Sequence, residues 1–151
     1  MADLDHRFMA PPFLRVSDRR TTPSGDEVFQ WDLRLAQPNV SQVAMPVIHS
    51  LEHFLGTLLR SASDKVTTVA PMGCQTGFYI VTIGIGDFEE MADLLAEALV
   101  AIGEADSVPL ANTTRCGWAE NHTLVGVQAL AGWLLTRRSE WHDPGKDAHE
   151  V

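Results

Sequence analysis

Hydrophobic residues recur along this chain with two different periods. From Glu27 to Leu35 they alternate. Phe29, Trp31, Leu33 and Leu35 fall on one side and Val28, Gln30, Asp32 and Arg34 on the other, the pattern of a half-buried strand. Phe13-Leu14-Arg15-Val16 predicts a short strand before it, and Ser17 to Asp26, with Pro23 and Gly25, predicts a polar turn region between the two. Gln37-Pro38-Asn39 ends the second strand. Val47 to Leu59 then changes period. Ile48, Leu51, Phe54, Leu55, Leu58 and Leu59 are spaced by three and four, which marks the buried face of a helix, and Pro46 suits its first turn. Ser61 to Lys65 turns the chain. Val66 to Ala70 predicts a short strand ended by Pro71-Met72-Gly73-Cys74, and the β-branched run Phe78 to Ile85 predicts a central strand. Asp87 to Ile102 predicts a helix capped by Asp87 and stopped by Gly103. Asn121-His122-Thr123 opens a third helix over Leu124 to Leu135, and Glu140 to Val151 reads as a frayed polar tail with Pro144-Gly145. The expected class is α+β, an antiparallel sheet packed against helices. One domain is expected over residues 1–138, with a polar C-terminal tail over 139–151.

Composition narrows the partners. The chain has 151 residues, enough for one domain with a real core. It carries 11 Lys plus Arg against 20 Asp plus Glu, a formal net charge of -9, which argues against nucleic acid or an anionic membrane as partner. No apolar run approaches the roughly 18 residues of a membrane span. The start Met1-Ala2-Asp3-Leu4-Asp5-His6 has neither the basic nor the apolar segment of a secretory signal, so a cytoplasmic protein is expected. In that compartment the two cysteines, Cys74 and Cys116, stay reduced and are buried, catalytic or metal-ligating.

Three segments carry chemistry. In His49-Ser50-Leu51-Glu52-His53, two histidines four apart on a helix lie about 40° from each other around the axis and one turn along it, so both imidazoles can grip one metal ion. Glu52 sits beside a ligand without being one. This is the H-x-x-E-H order of inverted zinc-protease signatures, although an i,i+4 His pair also occurs on ordinary surfaces. Cys116 in Thr114-Arg115-Cys116-Gly117 offers a soft third ligand for zinc or ferrous iron. Cys74, between Gly73 and Gly77 in Pro71-Met72-Gly73-Cys74-Gln75-Thr76-Gly77, reads as an acid, a base, a nucleophile or a buried structural thiol. As a fourth ligand it would convert an open catalytic site into a closed structural one. His122 is expected to cap a helix or face solvent. Arg34 is expected either to pair with a substrate carboxylate in bidentate fashion or to face solvent as an ordinary strand residue.

Taken in order, these blocks resemble the S-ribosylhomocysteine lyase (LuxS) family over residues from about 4 to 136. The resemblance is carried by Leu4-Asp5-His6 with Ala10-Pro11, Asp32-Leu33-Arg34 with Gln37-Pro38-Asn39, the His49 to His53 helix, Arg60, Pro71 to Tyr79, and Cys116-Gly117 followed by His122. It implies a fold of the LuxS/MPP-like metallohydrolase type. It implies one divalent metal per chain, Fe(2+) or else Zn(2+), on His49, His53 and Cys116. Cys74 and Glu52 would be the acid–base pair, and Arg34 and His6 would contact the substrate, S-ribosylhomocysteine. A homodimer with shared active sites would convert it by carbonyl migration and β-elimination to homocysteine and 4,5-dihydroxy-2,3-pentanedione, the autoinducer-2 precursor. The chain departs from the family pattern at Thr68 and Ala70, where an acidic residue and a serine are usual, and in its third helix with Trp118 and Trp133. Two other readings are an inverzincin-type metallopeptidase, which wants a distant carboxylate ligand and a larger chain, and a metal-stapled binding module with four protein ligands.

Overall fold

Four strands pair into one antiparallel sheet in a computed structural model that describes residues 3–149 and 151. They are β1 (Phe13–Thr21), β2 (Glu27–Arg34), β3 (Val66–Pro71) and β4 (Gly77–Ile83), in the order β1-β2-β4-β3. Three helices, α1 (Met45–Ala62), α2 (Phe88–Glu104) and α3 (Leu124–Thr136), complete the α+β architecture. The expected alternation in β2 is met on the helix side, where Phe29, Trp31 and Leu33 enter the main core with Phe78 and Ile80 of β4. Trp31 is fully buried there and donates its Nε1–H to the Ile85 carbonyl at 3.1 Å, so its one polar atom is satisfied. β4 is an interior strand, as its β-branched run predicts.

The helix α1 buries Ile48, Leu51, Phe54, Leu55 and Leu59, and Pro46 lies in its first turn. His49, Glu52 and His53 fall at the border of that face, half-buried. Asp87 caps α2 through its side chain, which accepts the Glu90 N–H. Gly103 does not stop this helix; it continues to Glu104, and Ala105 closes it with its N–H on the Ile102 carbonyl. Among the described residues no helix is long and apolar enough to cross a membrane.

Three expectations need correction. β1 does not end at Val16 but runs to Thr21 through a bulge between Val16 and Asp18, so half of the expected turn region is paired strand. The second face of β2 is not in water: Asp32 and Arg34 are 2% and 3% exposed. The segment from Glu140 to Val151, expected to fray, is held in place over residues 140–149. Trp141 is fully buried, its carbonyl accepts the Leu14 N–H, and the Pro144 and His149 carbonyls accept the N–H groups of Ala10 and Asp5. Ala148 joins Leu4, Met9 and Phe13 in a second small apolar cluster. The C-terminal segment thus fixes the N-terminal segment that carries His6.

Candidate metal centre

One turn of α1 and the loop between α2 and α3 bring four donor side chains together. His49, His53, Cys116 and His122 place their ligand atoms within 4.8 Å of one another. The loop supplies Cys116 and also orients the histidines of α1. His49 Nδ1–H donates to the Asn121 carbonyl at 2.9 Å, and His53 Nδ1–H donates to the Pro109 carbonyl at 2.8 Å. With each Nδ1 engaged, each Nε2 presents its lone pair inward, the arrangement of metal-ligating imidazoles. Asn112 shapes the loop by accepting the N–H groups of Thr114 and Arg115 on its side chain, and its carbonyl accepts the Cys116 N–H.

The donor set fits a tetrahedral ion. Bond lengths of about 2.0–2.1 Å to nitrogen and 2.3 Å to sulfur put neighbouring N and S ligands about 3.5 Å apart. Cys116 Sγ lies 3.5 Å from His49 Nε2. The rings of His49 and His53 meet edge to face, 4.8 Å between centroids and 82° between planes, so both can aim in-plane at one point.

His122 is the residue that sequence reasoning undervalued. It neither faces solvent nor caps α3; the cap is Thr123, whose side chain accepts the Gly126 N–H. Its Nε2 is also 3.5 Å from Cys116 Sγ, and burial together with the neighbouring His49 and His53 holds its pKa down at about 4. Its ring, however, stacks on that of His49 at 4.0 Å and 29°. An ion bonded to an imidazole lies in the ring plane about 2 Å from nitrogen. Two planes stacked in this way do not meet so close to the rings, so this arrangement suits His49 or His122 as an in-plane ligand better than both. The spacing of Cys116 and His122, five residues between two donors, is the signal that could have placed His122 here.

Glu52 opens with His53 onto a cleft of about 650 Å³ that is also lined by Arg60, Arg115 and Thr68. Its carboxylate lies 3.8 Å from His53 Nε2. Cys74 is elsewhere. It is exposed in a separate groove with His6 and Thr76, and it is not one of the four clustered donors. Burial acts to raise the Cys74 pKa, but the hydroxyl and backbone N–H of Thr76 and the charge of Arg34 outweigh it, and the thiol lies below its ordinary value. Arg34 engages Asp32 with Nε at 3.1 Å and Nη2 at 2.8 Å, and Thr76 Oγ1 with Nη1 at 2.9 Å. His6 and Arg34 together line a third groove on the outer face of the sheet.

The sequence model of the family described as S-Ribosylhomocysteinase (LuxS) matches residues 2–144. The chain belongs to the LuxS family. A relative from Listeria monocytogenes serotype 4a (strain HCC23), named S-ribosylhomocysteine lyase, is 43% identical over 139 residues, covering 92% of this chain and 90% of the relative. Relatives with the same name from Chromohalobacter salexigens and Helicobacter pylori (strain HPAG1) are 42% and 39% identical, covering 93% and 95% of this chain and 90% and 92% of their own. The LuxS match thus spans the metal helix, the Cys74 loop and the Cys116 loop together, and it stops short of the last residues of the C-terminal segment.

Proposed function

We propose that this chain is an S-ribosylhomocysteine lyase, a carbon–sulfur lyase that releases homocysteine and 4,5-dihydroxy-2,3-pentanedione, the autoinducer-2 precursor. The observation that carries the reading is the convergence of His49, His53 and Cys116 beside the Glu52 cleft in a LuxS-family chain. His49, His53 and Cys116 would hold one divalent ion, Fe(2+) in preference to Zn(2+). When bound, the ion supplies Lewis acidity to a substrate carbonyl. Glu52 and Cys74 do the proton work. In each step a base takes the proton from the carbon beside the carbonyl, the hydroxyl proton on that carbon passes to the old carbonyl oxygen through the enediol, and a proton is returned to the former carbonyl carbon, so the carbonyl migrates from C1 to C2 to C3. Removal of the C4 proton then expels the homocysteine thiol. General acid–base groups of this kind typically contribute about 10²–10⁴-fold each. His6 and Arg34 contact the homocysteine or ribose part, Arg34 with the N–H groups that Asp32 and Thr76 leave free.

Glu52 and Cys74 open onto cavities that share no lining residue. That separation supports a homodimer in which each site combines the Glu52 cleft of one chain with the Cys74 groove of the other. Membership of the family supports a fold of the LuxS/MPP-like metallohydrolase type and a small substrate, and the net charge of -9 supports a cytoplasmic enzyme with no nucleic acid or membrane as partner. The four-donor cluster is the observation that favours a closed, metal-stapled binding module. The stacking of His122 on His49 weighs against it, because it leaves one coordination position open. The peptidase reading has the H-x-x-E-H order alone; among the described residues no distant carboxylate joins the donor cluster.

The test is thiol release from S-ribosylhomocysteine by the Fe(2+)-loaded protein. Wild type is expected to release homocysteine, and Glu52→Gln and Cys74→Ala to lose most of the rate while keeping one metal per chain. Cys116→Ala is expected to lose the metal. A metal-loaded wild type that releases no thiol overturns the lyase reading. Loss of metal in Cys74→Ala but not in Cys116→Ala overturns the division of labour between the two thiols.

A further inference from the structure

The loop from Met72 to Gly77 lies unusually close to β2. A Cβ at Gly77 would fall 2.2 Å from the Leu33 carbonyl, so only glycine allows this approach. The Thr76 carbonyl accepts the N–H groups of Leu35 and Ala36 at 2.7 and 3.1 Å, which pins the loop to the end of β2. Thr76 is thereby buried against Arg34, and both are 3% exposed.

The hydrogen-bond roles here follow from donor counting. A guanidinium only donates. Arg34 Nη1 at 2.9 Å therefore uses Thr76 Oγ1 as an acceptor. The hydroxyl has one proton left to give. Its other neighbours are Cys74 Sγ at 2.9 Å and Met72 Sδ at 3.9 Å. As a thiol, Cys74 can give or take the proton of this 2.9 Å pair; as a thiolate it only accepts, so the hydroxyl then gives its proton to the near sulfur.

We infer that Thr76 is a positioning residue for Cys74: with one acceptor site held by Arg34, its hydroxyl donates its one proton to the Cys74 thiolate. Arg34 thus acts on the sulfur both through its charge, partly offset by the bidentate carboxylate of Asp32, and by holding the Thr76 hydroxyl in place. The other titratable group in the groove is His6. This inference rests on the proposal that Cys74 moves protons, but its test does not.

The experiment follows alkylation of Cys74 by iodoacetamide against pH in the metal-loaded protein, with peptide mass spectrometry to separate Cys74 from Cys116. In Thr76→Val the midpoint is expected to rise by about one pH unit, the scale of one hydrogen bond to a charged group. Thr76→Ala, which leaves room for water beside Arg34, is expected to move it in the same direction. Thr76→Ser is expected to restore it. The acid limb of kcat should move with the alkylation midpoint while KM stays near wild type. A Thr76→Val midpoint equal to wild type overturns the inference, and so does a shift that serine does not reverse. If Cys74→Ala instead keeps full thiol release, the catalytic reading of Cys74 fails while the alkylation midpoints still decide the role of Thr76.

Discussion

Ser50 follows His49 directly and joins α1 to the segment ahead of α3 through one oxygen. Its Oγ donates to the Pro46 carbonyl at 2.7 Å and accepts the Thr123 N–H at 2.9 Å, and His122 Nδ1 lies 3.1 Å away. With its proton given to Pro46, the oxygen is an acceptor for both other partners, which sets the His122 tautomer. Ser50→Ala leaves two buried donors without a partner. It is expected to destabilise the protein by about 1–3 kcal/mol in urea titrations. Ser50 was invisible in the sequence because a serine inside a helix pattern has no signature of its own. The His49, Glu52 and His53 placements were legible because helical spacing alone puts them on one border. Arg34 was half legible: alternation put it on the second face of β2, but nothing in its own strand showed that Asp32 and a loop residue, Thr76, would enclose it.

At the scale of elements, periodicity located all three helices and all four strands, and it failed where burial comes from a distant segment. β1 looked short because Ser17 to Thr21 is polar. It is an edge strand whose polar residues pair with β2 in backbone register, and a bulge breaks the alternation. The C-terminal segment looked frayed because Pro144, Gly145 and charged residues surround the one aromatic that matters. Trp141 is fully buried, and its Nε1–H donates to the Leu134 carbonyl at 3.1 Å. Trp141→Ala is expected to cost about 3–5 kcal/mol, measured by chemical denaturation. Its effect should reach β1 through the lost anchor for the Leu14 amide. A loss below 1 kcal/mol would mean that the segment contributes little to the fold and that its burial is incidental.

At the scale of the whole molecule, the two cavities on separate surfaces set the expectation for assembly. A site that needs both Glu52 and Cys74 is incomplete in one chain. Sedimentation equilibrium of the metal-loaded protein is expected to give a dimer at micromolar concentration. Mixing inactive Glu52→Gln with inactive Cys74→Ala under conditions that exchange subunits is expected to regain part of the activity, because some mixed dimers carry one intact site. An active monomer, or no recovery on mixing, would reject shared sites. The pairing of residues 3–14 with 141–149 and Val151 has a consequence in time. These contacts close a loop of nearly the whole chain, which costs more configurational entropy than the hairpins of the sheet, and contacts of such span form late. During refolding the amides of Asp5, Ala10 and Leu14 should gain protection from hydrogen exchange after those of β2 and β4. Enzyme activity, which waits on the segment bearing His6, should lag behind the protection of the β2 and β4 amides.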